Sequence, residues 1–273
     1  GQAVLWAATD VDPKNENPEL TTSEPYVMGS HATGSGAWCS GPEDVSPDEY
    51  FWGYNRMMTI EGLFGAGDAV GGTPHAFSSG SFTEGRLSAK AACKYIDDGK
   101  AEGIKVSEKQ INGFKEAVFK PLEHYKMYRN EIVAGDVNPH YINPRQGLDR
   151  LQKLMDEYCG GATVNYMTNG KLLNIGLKKL KLLEEDLEKL GASDVHELLR
   201  AWELKHRHRT AECVTQHTLF RKETRWPGYY YRGDAMKLDD ENWHCLTVSR
   251  RDPETGEYTM EKAPVYHLVG KDD

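Results

Sequence analysis

Apolar positions along this chain change their spacing twice. Up to about residue 97 they come in short runs broken by Gly, Pro and Ser, at residues 3–8, 26–28 and 58–66, the length expected of strands between loops. From about 107 to 206 the spacing becomes helical. Ser107 can cap a helix in which Phe114, Val118, Leu122 and Tyr125 recur at steps of three and four. Leu148, Leu151, Leu154 and Met155 repeat the pattern after Pro144, and Leu173, Leu177, Leu180 and Leu187 do so within a charged stretch that ends at Gly191. Asp194 and Glu197 have capping-box spacing for a further helix through Trp202 and Leu204. The leucines read as the core of a helix bundle and the charges of 178–188 as a solvated face. Beyond 207 the pattern is irregular.

The segment 62–86 departs from all of this, with glycine at 62, 65, 67, 71, 72, 80 and 85 between an apolar run and a helix. Residues 60–66 suit a short buried strand, Gly67-Asp68 end it with a carboxylate, and the small residues 78–81 offer hydroxyl N-caps to a helix over 82–96. Such a unit can cradle a nucleotide. Glycine permits close backbone approach, Asp68 can accept hydrogen bonds from sugar or ribityl hydroxyls, and a helix N-terminus carries about half a positive charge. A plain glycine-rich turn between a strand and a helix fits the same residues.

Composition narrows the classes. A chain of 273 residues with 38% hydrophobic and 27% charged residues can bury a real core, and a net charge of -9 argues against nucleic acid despite the basic and aromatic residues that alternate around Arg221, Lys222, Arg225, Trp226, Tyr229, Tyr230, Tyr231 and Arg232. Those arginines suit buried ion pairs tying the C-terminal segment to the core, with subunit contact or anion steering as alternatives. Cys39, Cys93, Cys159, Cys213 and Cys245 form no C-x-x-C pair and read as reduced thiols, offering no metal or cluster ligand set. No apolar run reaches 18 residues and no signal peptide is visible, so a cytoplasmic chain is expected. The chain opens with Gly1 inside an apolar run and has no G-x-G-x-x-G near its start, so it is expected to be a piece of a longer protein.

Gly62-Leu63-Phe64-x-Ala66-Gly67-Asp68 resembles the second FAD-contacting motif of the fumarate reductase and succinate dehydrogenase flavoproteins, G-L-F-A-A-G-E. Tyr54-Asn55-Arg56-Met57, Pro74-His75-x-Phe77-Ser78-Ser79-Gly80-Ser81 and the block 212–234 (ECVTQHTLFRKETRWPGYYYRGD) further resemble the alpha-subunit family of dissimilatory adenylylsulfate reductases, from about Glu24 to the end of the chain. The resemblance implies an α/β (α+β) flavoprotein fragment. Residues 1–97 would hold the end of a capping domain and the C-terminal part of the FAD-binding domain, 98–206 a helical domain, and 207–273 a segment packing on the flavin domain or a subunit interface.

The same resemblance implies a two-electron interconversion of adenylylsulfate with sulfite and AMP through a flavin N5-sulfite adduct. FAD would be held noncovalently, and electrons would pass through a ferredoxin-like iron–sulfur beta subunit. Gly65, Ala66, Gly67, Asp68, His75, Ser79, Ser81 and Phe82 would contact the flavin, with Ser81 and Phe82 at its pyrimidine edge. His31, in Met28-Gly29-Ser30-His31-Ala32-Thr33-Gly34, would bind substrate from the cap side after a short strand at 25–28. His75 matches the histidine of H-G-A-N-R in the dicarboxylate enzymes and would bind substrate or support the flavin loop. Here that segment reads His75-Ala76-Phe77-Ser78-Ser79, without the arginine that clamps a carboxylate, which argues against fumarate or succinate. Asp239-Asp240-Glu241-Asn242-Trp243 occupies the place of the superfamily's D-D-x-x-W. The competing readings are another flavoenzyme of fumarate reductase or aspartate oxidase type, and a helical interaction module without catalysis.

Overall fold

The computed structural model describes residues 10, 12, 14–15, 35–41, 52–71, 78–101, 105–133, 137–225 and 230–265. The expected strands at 3–8 and 25–28, His31, and the loop 72–77 with His75 lie outside these residues.

Five long helices and one short one carry the described chain, and most start where a side chain satisfies the free amides of a first turn. Helix α1 spans Ser78–Asp97. Helix α2 (Glu108–Tyr128) opens on a full capping box between Ser107 and Gln110, and α3 (Pro144–Tyr158) on one between Asn143 and Gln146, with Pro144 at its first turn. The Asn169 side chain caps α4 (Gly170–Leu187). Asp194 caps α5 (Val195–Phe220), but Glu197 reaches back to the Ser193 amide, 2.8 Å away, instead of the Asp194 amide of a strict box. Helix α5 does not stop near Leu204; it runs 26 residues, through the basic stretch at 206–209, to Phe220.

Helices α3, α4 and α5 pack around one core of Leu151, Leu154, Leu180, Leu183, Leu187, Leu190, Ala201, Leu204 and Ala211. Full burial stabilises each leucine by about 1.5–3 kcal/mol, and the summed burial holds the three helices together. His208 lies in this core at 2% exposure, its Nε2 2.8 Å from the Leu180 carbonyl, as a satisfied structural histidine. Helix α2 departs from its expected pattern, because Phe114 and Val118 are 68% and 40% exposed. It leans on its neighbours through its later turns, where Trp202 Nε1 donates to the Val118 carbonyl (3.0 Å) and the Ala192 amide to the Pro121 carbonyl (3.0 Å).

Two small sheets complete the fold. Strands β1 (Met167–Thr168) and β2 (Tyr231–Arg232) pair in parallel, and β3 (Cys245–Arg251) and β4 (Tyr258–Pro264) form an antiparallel hairpin. The short helix α6 (Asp240–Trp243), capped by Asp239, buries Trp243 edge-on against Phe220. The C-terminal arginines form the buried ion pairs expected of them. Glu223, with no exposed side-chain surface, accepts from Arg221 (2.6 Å), Arg225 (2.7 Å) and the Asp239 amide (3.0 Å). Arg232, 3% exposed, pairs with Asp234 at 2.8 Å and donates to the carbonyls of Thr218, Leu219 and Arg221 that end α5. All five cysteines are free thiols. Among the described residues no helix is long and apolar enough to cross a membrane, and no His, Cys, Asp and Glu cluster could hold a metal.

Candidate flavin-side turn

The apolar run at 60–66 is not a buried strand. Gly62, at φ 81°, turns the chain back within two residues, so the Leu63 amide bonds the Ile60 carbonyl (3.1 Å) and the Met58 amide the Leu63 carbonyl (2.7 Å). Ile60 and Leu63 stand at the tip, 64% and 45% exposed, and regular pairing is confined to single bridges: Met57 with Phe64, Cys39 with Met58, Ala37 with Val70.

Past the tip the turn meets the start of α1. Gly65 is buried, Ala66 half-buried, and Gly67–Ala69 form a 3-10 turn with Asp68 at the surface. Gly67 sits at φ 65°, and a Cβ there would come within 3.1 Å of Ser81 Oγ, so the turn packs against the first turns of α1 only because it lacks a side chain. Helix α1 begins at Ser78, four residues earlier than the hydroxyl-cap reading places it. Ser79 and Ser81 therefore belong to the helix rather than cap it. Ser81 is half-buried, and Phe82 is 81% exposed beside the turn. Gly67 and Ser81 thus tie this turn locus to α1, with Phe82 next along the helix.

Two clusters fasten this locus to α1. Tyr54, Met57 and Tyr95 form a buried nucleus with Phe64 against it, the Tyr54 and Tyr95 rings meeting edge-on at 5.1 Å, and Tyr54 Oη donates to Asp98 (2.8 Å). That bond to a carboxylate raises the Tyr54 phenol above its ordinary value. One helical turn from Ser81, Glu84 takes a 2.7 Å ion pair from Arg56, whose guanidinium also lies 3.8 Å from Cys39 Sγ. Burial pushes the Cys39 thiol up, which fits an inert thiol rather than a nucleophile. Ser40 is fully buried, its Oγ donating to the Tyr54 carbonyl (2.6 Å) with the Met57 carbonyl at 3.0 Å. Arg56, Glu84 and Ser40 were not singled out as site residues by motif or spacing. The one signal for Arg56 was its place in Tyr54-Asn55-Arg56-Met57.

These residues fit a flavin's seat on one side. A side-chain-free turn packs on the first turns of a helix and carries a surface carboxylate at Asp68. A groove of about 380 Å³ lies elsewhere, on the helical unit, lined by Leu148, Arg200, Glu203 and Arg207.

A family model described as "Fumarate reductase flavoprotein C-term" matches residues 148–268. The adenylylsulfate reductase alpha subunit of Megalodesulfovibrio gigas is 41% identical over 282 residues, covering 100% of this chain and 42% of that one. The chain belongs to the fumarate reductase and succinate dehydrogenase flavoprotein superfamily. Within that superfamily it is similar to solved adenylylsulfate reductases. The enzyme of the hyperthermophile Archaeoglobus fulgidus matches at 49% identity and a TM-score of 0.85 over 98% of this chain and 42% of its own. A structure of adenosine-5-phosphosulfate reductase in complex with sulfite, as a covalent adduct, matches with the same identity, TM-score and coverage. The chain thus spans 42% of the length of these relatives. Flavoprotein membership implies FAD, and the mixed helix and strand architecture is that of the superfamily's C-terminal part.

Proposed function

We propose that this chain is part of the FAD-bearing catalytic subunit of an adenylylsulfate reductase, which interconverts adenylylsulfate with sulfite and AMP by two electrons. The observation that carries this is the likeness, over 98% of this chain, to the reductase solved as a covalent sulfite adduct. When bound, FAD supplies the two-electron chemistry at sulfur through its N5. The chain's own residues bind and orient. Gly65 to Asp68 approach the cofactor through backbone, Asp68 accepts from its hydroxyls, and the first turn of α1, with Ser79, Ser81 and Phe82, brings the positive end of a helix dipole to its pyrimidine edge. Binding is noncovalent. His31 holds the sulfate oxygens by charge-assisted hydrogen bonds, and His75 supports the flavin loop or shares in substrate contact. Electrons arrive from a ferredoxin-like iron–sulfur beta subunit. The free cysteines suit a cytoplasmic setting, where thiols stay reduced.

The test is carried out on the full-length subunit with its beta partner, following AMP- and sulfite-dependent reduction of an artificial acceptor. His31→Asn is expected to leave the flavin spectrum intact and to cut turnover by roughly ten- to a thousandfold, the range for one proton-transfer group or transition-state donor. His75→Asn is expected to disturb the spectrum as well. Near wild-type turnover in His31→Asn would remove that residue from the site.

A further inference from the structure

Three costs coincide at one ion pair. Arg56 is held at φ 61°, a left-handed conformation that suits glycine or asparagine far better than arginine. Its backbone is clamped there, its amide on the Ser40 carbonyl (2.8 Å) and its carbonyl accepting from the Gly65 amide (3.0 Å), inside the turn that leads to Gly67. The pair with Glu84 is a single contact at 2.7 Å, and it leaves Arg56 Nε and Glu84 Oε2 buried without partners. A two-pronged pair would have satisfied both atoms. Strained backbone and orphaned polar groups that persist together mark a place where geometry, not stability, is what the residues supply.

We propose that Arg56 and Glu84 are a positioning pair for the flavin: they fix the Gly65–Asp68 turn against the first turns of α1 and so set the separation of the two backbone surfaces that the cofactor meets. The placement follows from the chain. Arg56 reaches the turn through its own bond to Gly65, and Glu84 sits one helical turn beyond Ser81, which packs on Gly67. The Tyr54, Met57 and Tyr95 cluster already fastens this segment to the later turns of α1, so the ion pair is not needed to keep the two together. What it adds is the registration of the end that faces the ligand. The pair acts through the turn and does not itself touch the cofactor.

This inference rests on the flavoprotein reading, and the experiment separates the two. In the full-length protein, Arg56→Gly with Glu84→Gln relieves the left-handed strain and removes the buried charges, with little change of shape at residue 84. The apo-protein is expected to melt at the wild-type temperature or above, while FAD binds at least about tenfold more weakly, with altered flavin absorbance and midpoint potential. Arg56→Lys, which keeps the charge, is expected to fall between this variant and the wild type. Unchanged FAD affinity, spectrum and potential in the double variant would overturn the positioning role. A lower melting temperature with FAD loss only in proportion to unfolding would also overturn it, in favour of a purely structural pair. A wild-type protein that carries no flavin would overturn both readings.

Discussion

Arg232 shows how one side chain decides where a helix ends. Its guanidinium forks onto Asp234 and spends its remaining donors on the last carbonyls of α5, which no amide of the helix can reach. Asp234 in turn accepts from the Gly170 amide (2.8 Å) at the start of α4, so two helix ends share one ion pair, and Arg232 holds the Asp234 carboxyl down to about 2. Arg232→Met is therefore expected to cost about 1–3 kcal/mol in urea unfolding, the range for leaving buried acceptors without a donor. A loss under 1 kcal/mol would mean that water reaches those carbonyls. The ion pairs of this segment were legible because several arginines recur close to acidic residues in an acidic chain. The partners were not, since Glu223, Asp240 and the helix-end carbonyls are brought together only by the fold. Arg56 was hidden for a similar reason, as nothing in its spacing signals a left-handed arginine.

At the level of elements, the helices were readable because caps and leucine periodicity agree, as at Ser107 and at Leu173 to Leu187. Two features were not. The run at 60–66 has strand composition, yet Gly62 folds it back, and a local turn overrides the propensity of its neighbours. Helix α5 runs on to Phe220 through a stretch whose charges and histidines obscure any apolar stripe. The β3–β4 hairpin docks on that continuation. His217 on α5 lies between Thr247 Oγ1 (2.8 Å) and Ser249 Oγ (2.9 Å), while Arg209, Glu184, Glu212 and Arg251 interlock at the hairpin's far end. Burial, and then the nearby Arg221, hold the imidazole below its usual value. The folded state thus prefers the neutral ring, and below the unfolded value near 6.5 the unfolded state binds more protons. Stability from this residue is present above about pH 6.5 and is lost as pH falls. Amide protection factors across 245–251, which already allow for the slower chemical exchange at lower pH, are expected to fall from about pH 7.5 to about pH 5.5, and this excess opening is expected to vanish in His217→Gln. Equal excess in the variant would assign it elsewhere.

For the whole molecule, the helical unit has a closed core while the turn at 62–71 presents exposed apolar and aromatic side chains beside a helix start. That asymmetry suits a division in which α3, α4 and α5 provide a rigid body and the turn with α1 provides one wall of a cofactor seat. The family was legible in the sequence because its glycine turn and its C-terminal arginine block each combine several rare residues at fixed spacing. Of the candidate site, the turn was legible because backbone geometry dictates residue type there. His31 and His75 rest on resemblance, since a histidine's role depends on what faces it. The most direct test of the central claim is to add sulfite, with and without AMP, to the oxidised full-length protein and record the flavin absorbance. The account predicts a flavin band that sulfite bleaches, with AMP allowing the bound electrons to pass to an acceptor. A protein without a flavin band, or one whose flavin ignores sulfite but, once reduced with dithionite, is reoxidised by fumarate, would contradict it.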